Sequence, residues 1–154
     1  MKELEYLGNK DLLKKKKWGF LASRQVASNE VLLCYDWATE RSKSGDCVVS
    51  GFSSKMEKDV LHFLLKGKSP IIMVLARRMY AKLPEEWRNA ISEGRMLIVA
   101  IDQDVRQSQK TAEKRNLYVV EICERTYLAG ISKRSSLQRI LQEFPEKCVM
   151  MQNI

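Results

Sequence analysis

The sequence holds a single histidine, His62, and no cysteine pair of the C-x-x-C type, so it lacks the usual material for a metal set. The four cysteines, Cys34, Cys47, Cys123 and Cys148, are scattered and read as buried reduced thiols rather than disulfides or zinc ligands. No nucleophile-plus-base arrangement emerges, because His62 lies in an apolar helical stretch where a packed or half-exposed ring is the expected role. Neither a G-x-G-x-x-G nor a P-loop is present. The longest apolar run, Pro70 to Ala76, falls far short of the roughly 20 residues a membrane span requires. Lys14 to Lys17 lead into Trp18-Gly19-Phe20-Leu21-Ala22 and then an arginine, not into a signal-peptide core and cleavage site. These absences set the expectation of a cytoplasmic chain with no membrane partner, no cofactor and no metal.

What is abundant is positive charge. The chain of 154 residues carries 27 Lys and Arg against 19 Asp and Glu, a net +8 with a pI near 9.4. That balance favours an anionic partner, nucleic acid or a nucleotide phosphate. A lysine run alone does not choose between them, since such runs commonly form a solvated face. The length allows one domain with its own core.

Short apolar runs alternate with amphipathic stretches, the pattern of βαβ units around a parallel sheet. Strands are expected at Trp18 to Ala22, Cys47 to Ser50, Ile71 to Ala76, Met96 to Ile101 and Leu117 to Ile122, with Tyr127 to Ile131 read as a sixth strand or a loop. Helices are expected at Val26 to Arg41, with Val31, Leu32, Tyr35 and Ala38 on one side and Asn29 as cap, and at Ser54 to Lys66, stopped by Gly67. Further helices are expected at Pro84 to Ile91, Lys110 to Asn116 and Ser135 to Phe144. Residues 1 to 13 read as a helical lead-in and Pro145 to Ile154 as a tail of unassigned order. The fold class is therefore α/β, a Rossmann-like three-layer domain with a mostly parallel central sheet, spanning 1 to 154 as one unit.

In such sheets ligands bind outside the carboxyl ends of the strands. Three places qualify. Ser23-Arg24 follows the first strand and offers a hydroxyl and a guanidinium beside a helix start. Ser50-Gly51-Phe52-Ser53-Ser54 combines a tight turn with hydroxyls and amides at a helix N-terminus. Lys114-Arg115-Asn116, placed before the expected fifth strand, adds charge and an amide able to bond a base or sugar edge. Glu57 and Asp59 read as the polar face of their helix, and Trp18, Trp37 and Trp87 as core, with Trp87 also suited to stacking.

Taken in order, these segments resemble the central domain of the DprA/Smf DNA-processing family. Tyr6-Leu7-Gly8-Asn9-Lys10-Asp11-Leu12-Leu13 matches a lead-in of the form Y-L-G-N-x-x-L-L, Leu21-Ala22-Ser23-Arg24 matches V-G-S-R, and Val48 to Ser53 matches V-V-S-G-L-A. Leu83-Pro84-Glu85-Glu86-Trp87 resembles Y-P-x-E-N, and Lys114-Arg115-Asn116 resembles R-R-N, so the likeness covers roughly residues 4 to 143. It implies a standalone member that binds single-stranded DNA through Ser23, Arg24, Ser50, Gly51, Ser53, Ser54, Arg115 and Asn116, with a RecA-type recombinase as partner and no enzymatic activity. Ala22, Ser53 to Glu57, and Ala76-Arg77-Arg78 depart from the family pattern, and a Cβ at such turns restricts φ and the room for a phosphate. Two other readings stay open: a nucleotide-binding sensor or nucleotide-processing enzyme of the same fold, and a scaffold working through homo-oligomer or partner contacts.

Overall fold

The computed structural model describes residues 4–133 and 135–154. Its elements run β1 (Glu5–Gly8), a 3-10 turn (Lys10–Lys14), β2 (Lys17–Ala22), α1 (Ser28–Ser44), β3 (Cys47–Ser50), α2 (Lys55–Lys66), β4 (Ile71–Leu75), α3 (Glu85–Ser92), β5 (Met96–Ala100), α4 (Gln109–Ile122), β6 (Arg125–Ala129), α5 (Ser136–Glu143), β7 (Cys148–Met150) and a closing 3-10 turn (Met151–Asn153). They form one sheet in the order β1-β5-β4-β3-β2-β6-β7, parallel except for β1, which runs antiparallel on β5.

The strand residues alternate between two cores because successive side chains leave opposite faces. Phe20, Val48, Ile71, Met73 and Ile98 pack with Trp37, Val60, Leu64 and Ala90 of α1, α2 and α3. Leu21, Val49, Ile72, Val74 and Leu97 pack with Val119, Val120, Leu137 and Ile140 of α4 and α5. The expected α/β three-layer architecture is what the chain adopts.

Expectations fail in α4, in the lead-in and in α1, each for an identifiable reason. Leu117 to Ile122 is the second half of α4, not a strand. Ser108 starts that helix with a reciprocal side-chain cap to Thr111, and Thr111, Arg115, Val119 and Asn116 then recur at helical spacing on its buried face. The apolar run Leu117 to Val120 imitates a buried strand, whereas the true strand β6 begins at Arg125. The lead-in contains β1 and a 3-10 turn rather than a helix, and its first three residues lie outside the described ones. All four β1 residues are exposed, so this strand is defined by its pairing with β5 and carries no local hydrophobic period. The tail is ordered by tertiary contacts: β7 pairs with β6, and Met151 is fully buried. In α1, Ala27 rather than Asn29 is the N-cap residue, and Leu32 points to solvent, 67% exposed, while Cys34, Trp37 and Ala38 face the core.

Sheet order reverses at β2, whose neighbours are β3 on one side and β6 on the other. A crevice is expected at that switch point, above the carboxyl ends of the strands.

Candidate nucleic-acid interface

The crevice is there, in two connected parts. A groove of about 820 Å3 runs over the end of β2 and is bordered by Ser23, Arg24, Ser53, Ser54, Lys55, Gln107, Ser108, Arg115, Asn116, Ser135 and Arg139. The N-termini of α2, α4 and α5 all open onto it, each capped by a serine hydroxyl: Ser54 accepts from Glu57 N–H, Ser108 from Thr111 N–H and Ser135 from Gln138 N–H. Each such terminus carries roughly half a positive charge, so their convergence makes the groove attractive to anions.

Next to it lies a smaller pocket of about 360 Å3 above β3 and β4, walled by Phe52, Leu61, Leu65, Met73, Leu75, Tyr80 and Trp87, with Lys58, His62 and Arg77 at its edge. The Tyr80 and Trp87 rings stand 6.0 Å apart at 56°, and the Arg77 guanidinium lies 4.4 Å over the Tyr80 ring. His62 is exposed there, rather than packed within the helix.

Arg115 belongs to both spaces, together with Ser53 and Gln107. It is 4% exposed, its Nε donates to Asn116 Oδ1 at 2.8 Å, and its Nη1 donates to Gln107 Oε1 at 3.5 Å. Burial pulls its pKa below that of a free guanidinium, while the Glu57 carboxylate opposes that shift. Glycine at position 51 leaves room for this guanidinium, which a Cβ there would displace.

Glu57, expected from sequence on the polar face of its helix, is 3% exposed and organises the loops. Its Oε2 accepts the Ala22 N–H at 2.9 Å, and its Oε1 accepts those of Ser53 at 2.9 Å and Ser54 at 3.4 Å. One carboxylate thus pins the end of β2 to the start of α2 and faces Arg115. The sequence signal for this role is the S-x-x-E spacing of Ser54 and Glu57, a capping box. Asp59 is half-buried and tied to Tyr35 Oη at 3.0 Å and Lys55 Nζ at 3.3 Å.

The eight residues expected from sequence to contact phosphate therefore separate. Ser23, Arg24, Ser53, Ser54, Arg115 and Asn116 border the groove, and Gly51 borders the adjoining pocket. Ser50 is fully buried and borders neither; its Oγ accepts the Phe52 N–H at 3.1 Å and shapes the turn. Ser23 Oγ contacts the carbonyls of Gln25 at 2.9 Å and Gly130 at 2.5 Å, joining the ends of β2 and β6. Arg24 is exposed, with no hydrogen bond or ion pair to another described residue. The departures from the family pattern at Ala22 and Ala76 do not strain the backbone: neither residue has positive φ, and both are buried. The strained position is Phe52, at φ 50, a conformation costing a bulky residue about 1–3 kcal/mol. Sequence reasoning missed Gln107, Ser108, Arg139 and Tyr80 as neighbours of this site. All four cysteines are buried free thiols, and burial pushes Cys34 and Cys47 up to about 12.

The fold and crevice define a Rossmann-like domain with a polar groove, bordered by Arg24, Lys55, Arg115 and Arg139, at its topological switch point. The sequence matches the family model of DNA recombination-mediator protein A over residues 2–137, and the chain belongs to that family. Among solved structures it is similar to DNA processing protein A from Helicobacter pylori, described by its single-stranded DNA binding mode, at 18% identity and TM-score 0.73, covering 96% of this chain and 70% of that one. The corresponding protein from Streptococcus pneumoniae gives 17% identity and TM-score 0.75, covering 96% of this chain and 54% of that one, so this chain spans little more than half its length. The molybdenum cofactor carrier protein of Chlamydomonas reinhardtii shares the fold more distantly, at 10% identity and TM-score 0.57 over 88% of this chain and 76% of that one. No curated protein matches the sequence.

Proposed function

We propose that this chain binds single-stranded DNA, with the phosphate backbone following the groove and a base entering the adjoining pocket. The observation that carries the reading is Arg115, a buried guanidinium shared between a polar groove at three helix N-termini and a pocket faced by Tyr80 and Trp87. Phosphates suit Arg24, Lys55, Arg139 and the hydroxyls of Ser53 and Ser54, and a base suits the aromatic faces, where stacking is sequence-tolerant. Ser23, Ser50, Gly51 and Asn116 then shape the site around Arg115.

In line with the family match, we further propose the wider role of a cytoplasmic recombination mediator that acts with a RecA-type recombinase, forms one domain, self-associates and has no enzymatic activity of its own. The test is fluorescence anisotropy of a labelled oligothymidylate. Each phosphate neutralised should add about 0.7 to the slope of log affinity against log salt. Arg24→Ala with Arg77→Ala should weaken binding and lower that slope; no binding at low salt sinks the proposal. The small pocket of about 360 Å3 favours a second reading, a mononucleotide site. A mononucleotide would then raise the melting temperature while oligonucleotides left it unchanged.

A further inference from the structure

At the opposite end of the sheet, Lys16, Trp18, Arg125 and Tyr127 form a shallow notch of about 230 Å3 with Glu124 beside it. Trp18 and Arg125 are register partners on the neighbouring parallel strands β2 and β6, and Tyr127 lies one alternation further along β6. The period of two places Trp18, Arg125 and Tyr127 on the same sheet face. Trp18 and Tyr127 are only half-buried, and Lys16 and Arg125 are exposed. Lys16 Nζ lies 5.2 Å over the Trp18 ring.

Two other cations near this end are engaged locally. Lys17 donates to the carbonyls of Leu13 at 2.7 Å and Lys15 at 2.8 Å, and Lys147 donates to the final carbonyls of α4, at Val120 and Glu121. Among the described residues the Lys16 side chain has only its contact with the Trp18 ring, and the Arg125 side chain has no hydrogen-bond or ion-pair partner. Half-exposed aromatic rings beside cations with no carboxylate partner are what a nucleic-acid strand uses, bases on the rings and phosphates on the cations.

We propose that Lys16, Trp18, Arg125 and Tyr127 form a second contact for single-stranded DNA, at the amino ends of β2 and β6. It rests on the reading that this chain binds such DNA, but through different residues. The six residues of β2 separate it from the groove by about 20 Å, so one strand of sufficient length engages both.

The test compares oligothymidylates of about 5 and about 20 nucleotides, lengths within and beyond a single ordinary site. Lys16→Gln with Arg125→Gln, both on exposed side chains, should weaken binding of the long oligonucleotide about 5- to 10-fold and lower its salt slope by about 1.4. Glu124→Gln should tighten it. A 5-bromodeoxyuridine oligonucleotide, cross-linked by light and mapped by mass spectrometry, should label Trp18 or Tyr127. Unchanged affinity and slope in the double variant, with no label there, overturn the second contact and leave the groove reading standing. Loss in that variant while Arg24→Ala with Arg77→Ala binds like the parent sinks the groove reading and keeps this one. A parent protein that binds no oligonucleotide at low salt overturns both.

Discussion

Glu57→Gln is an isosteric change that removes a charge from the centre of the loop network. In the parent both carboxylate oxygens accept backbone N–H groups, Oε2 from Ala22 and Oε1 from Ser53 and Ser54. An amide has one acceptor oxygen, so its NH2 must face at least one of those N–H groups, donor against donor. A lost hydrogen bond to a charged group costs about 1.5–3 kcal/mol. The buried Arg115 guanidinium loses its opposite charge as well. Together these give roughly 3 kcal/mol, which in a domain of this size is a fall of about 6–12 °C in melting temperature. Thermal unfolding followed by circular dichroism reads this directly. A double-mutant cycle with Arg115→Met should show a coupling above about 1 kcal/mol, the two changes together costing less than their sum. A melting temperature within about 2 °C of the parent, or additive effects, would refute the assignment of Glu57 as the carboxylate that ties β2, α2 and Arg115 together.

Gly51→Ala should displace the Arg115 guanidinium, lowering stability by about 1–3 kcal/mol and weakening oligonucleotide binding beyond what the stability loss explains; denaturant titration and anisotropy on the same samples separate the two. Tyr80→Ala should cost about 1–3 kcal/mol of binding to single-stranded DNA while leaving the salt slope unchanged, since it removes a stacking face and no charge. Stability should fall as pH rises above about 8.5, because burial holds the Cys34 and Cys47 thiols up to about 12 while the unfolded chain gives up those protons near 8.5. This contribution is intact below that pH and is lost at up to ~1.4 kcal/mol per thiol per pH unit above it. Denaturant midpoints at pH 8 and pH 10 should therefore diverge less in Cys34→Ala with Cys47→Ala than in the parent.

The central strands were legible from sequence because buried parallel strands are continuous apolar runs, as Ile71 to Leu75 and Met96 to Ala100 are. The same rule misread Leu117 to Ile122, where an apolar run continues a helix whose start is set by Ser108 and Thr111. The edge strand β1 and terminal strand β7 were hidden because they exist through pairing with β5 and β6 rather than through local pattern. Within the site, most of the residues chosen after the strands do border the crevice. Sequence could not tell which polar groups the fold itself uses: Ser50 turns inward to Phe52, and Glu57 turns inward to three amides. Nor could it reveal that Arg115, from a helix distant in sequence, passes over Gly51.

Arg115 is the residue proposed to join a phosphate groove to a base pocket. A crystal structure with a short oligothymidylate tests this most directly. Binding as proposed places a phosphate within hydrogen-bond distance of Arg115 in the groove bordered by Arg24, Ser53 and Ser54, and a base against Tyr80 and Trp87. An oligonucleotide bound elsewhere, with groove and pocket empty, would contradict it.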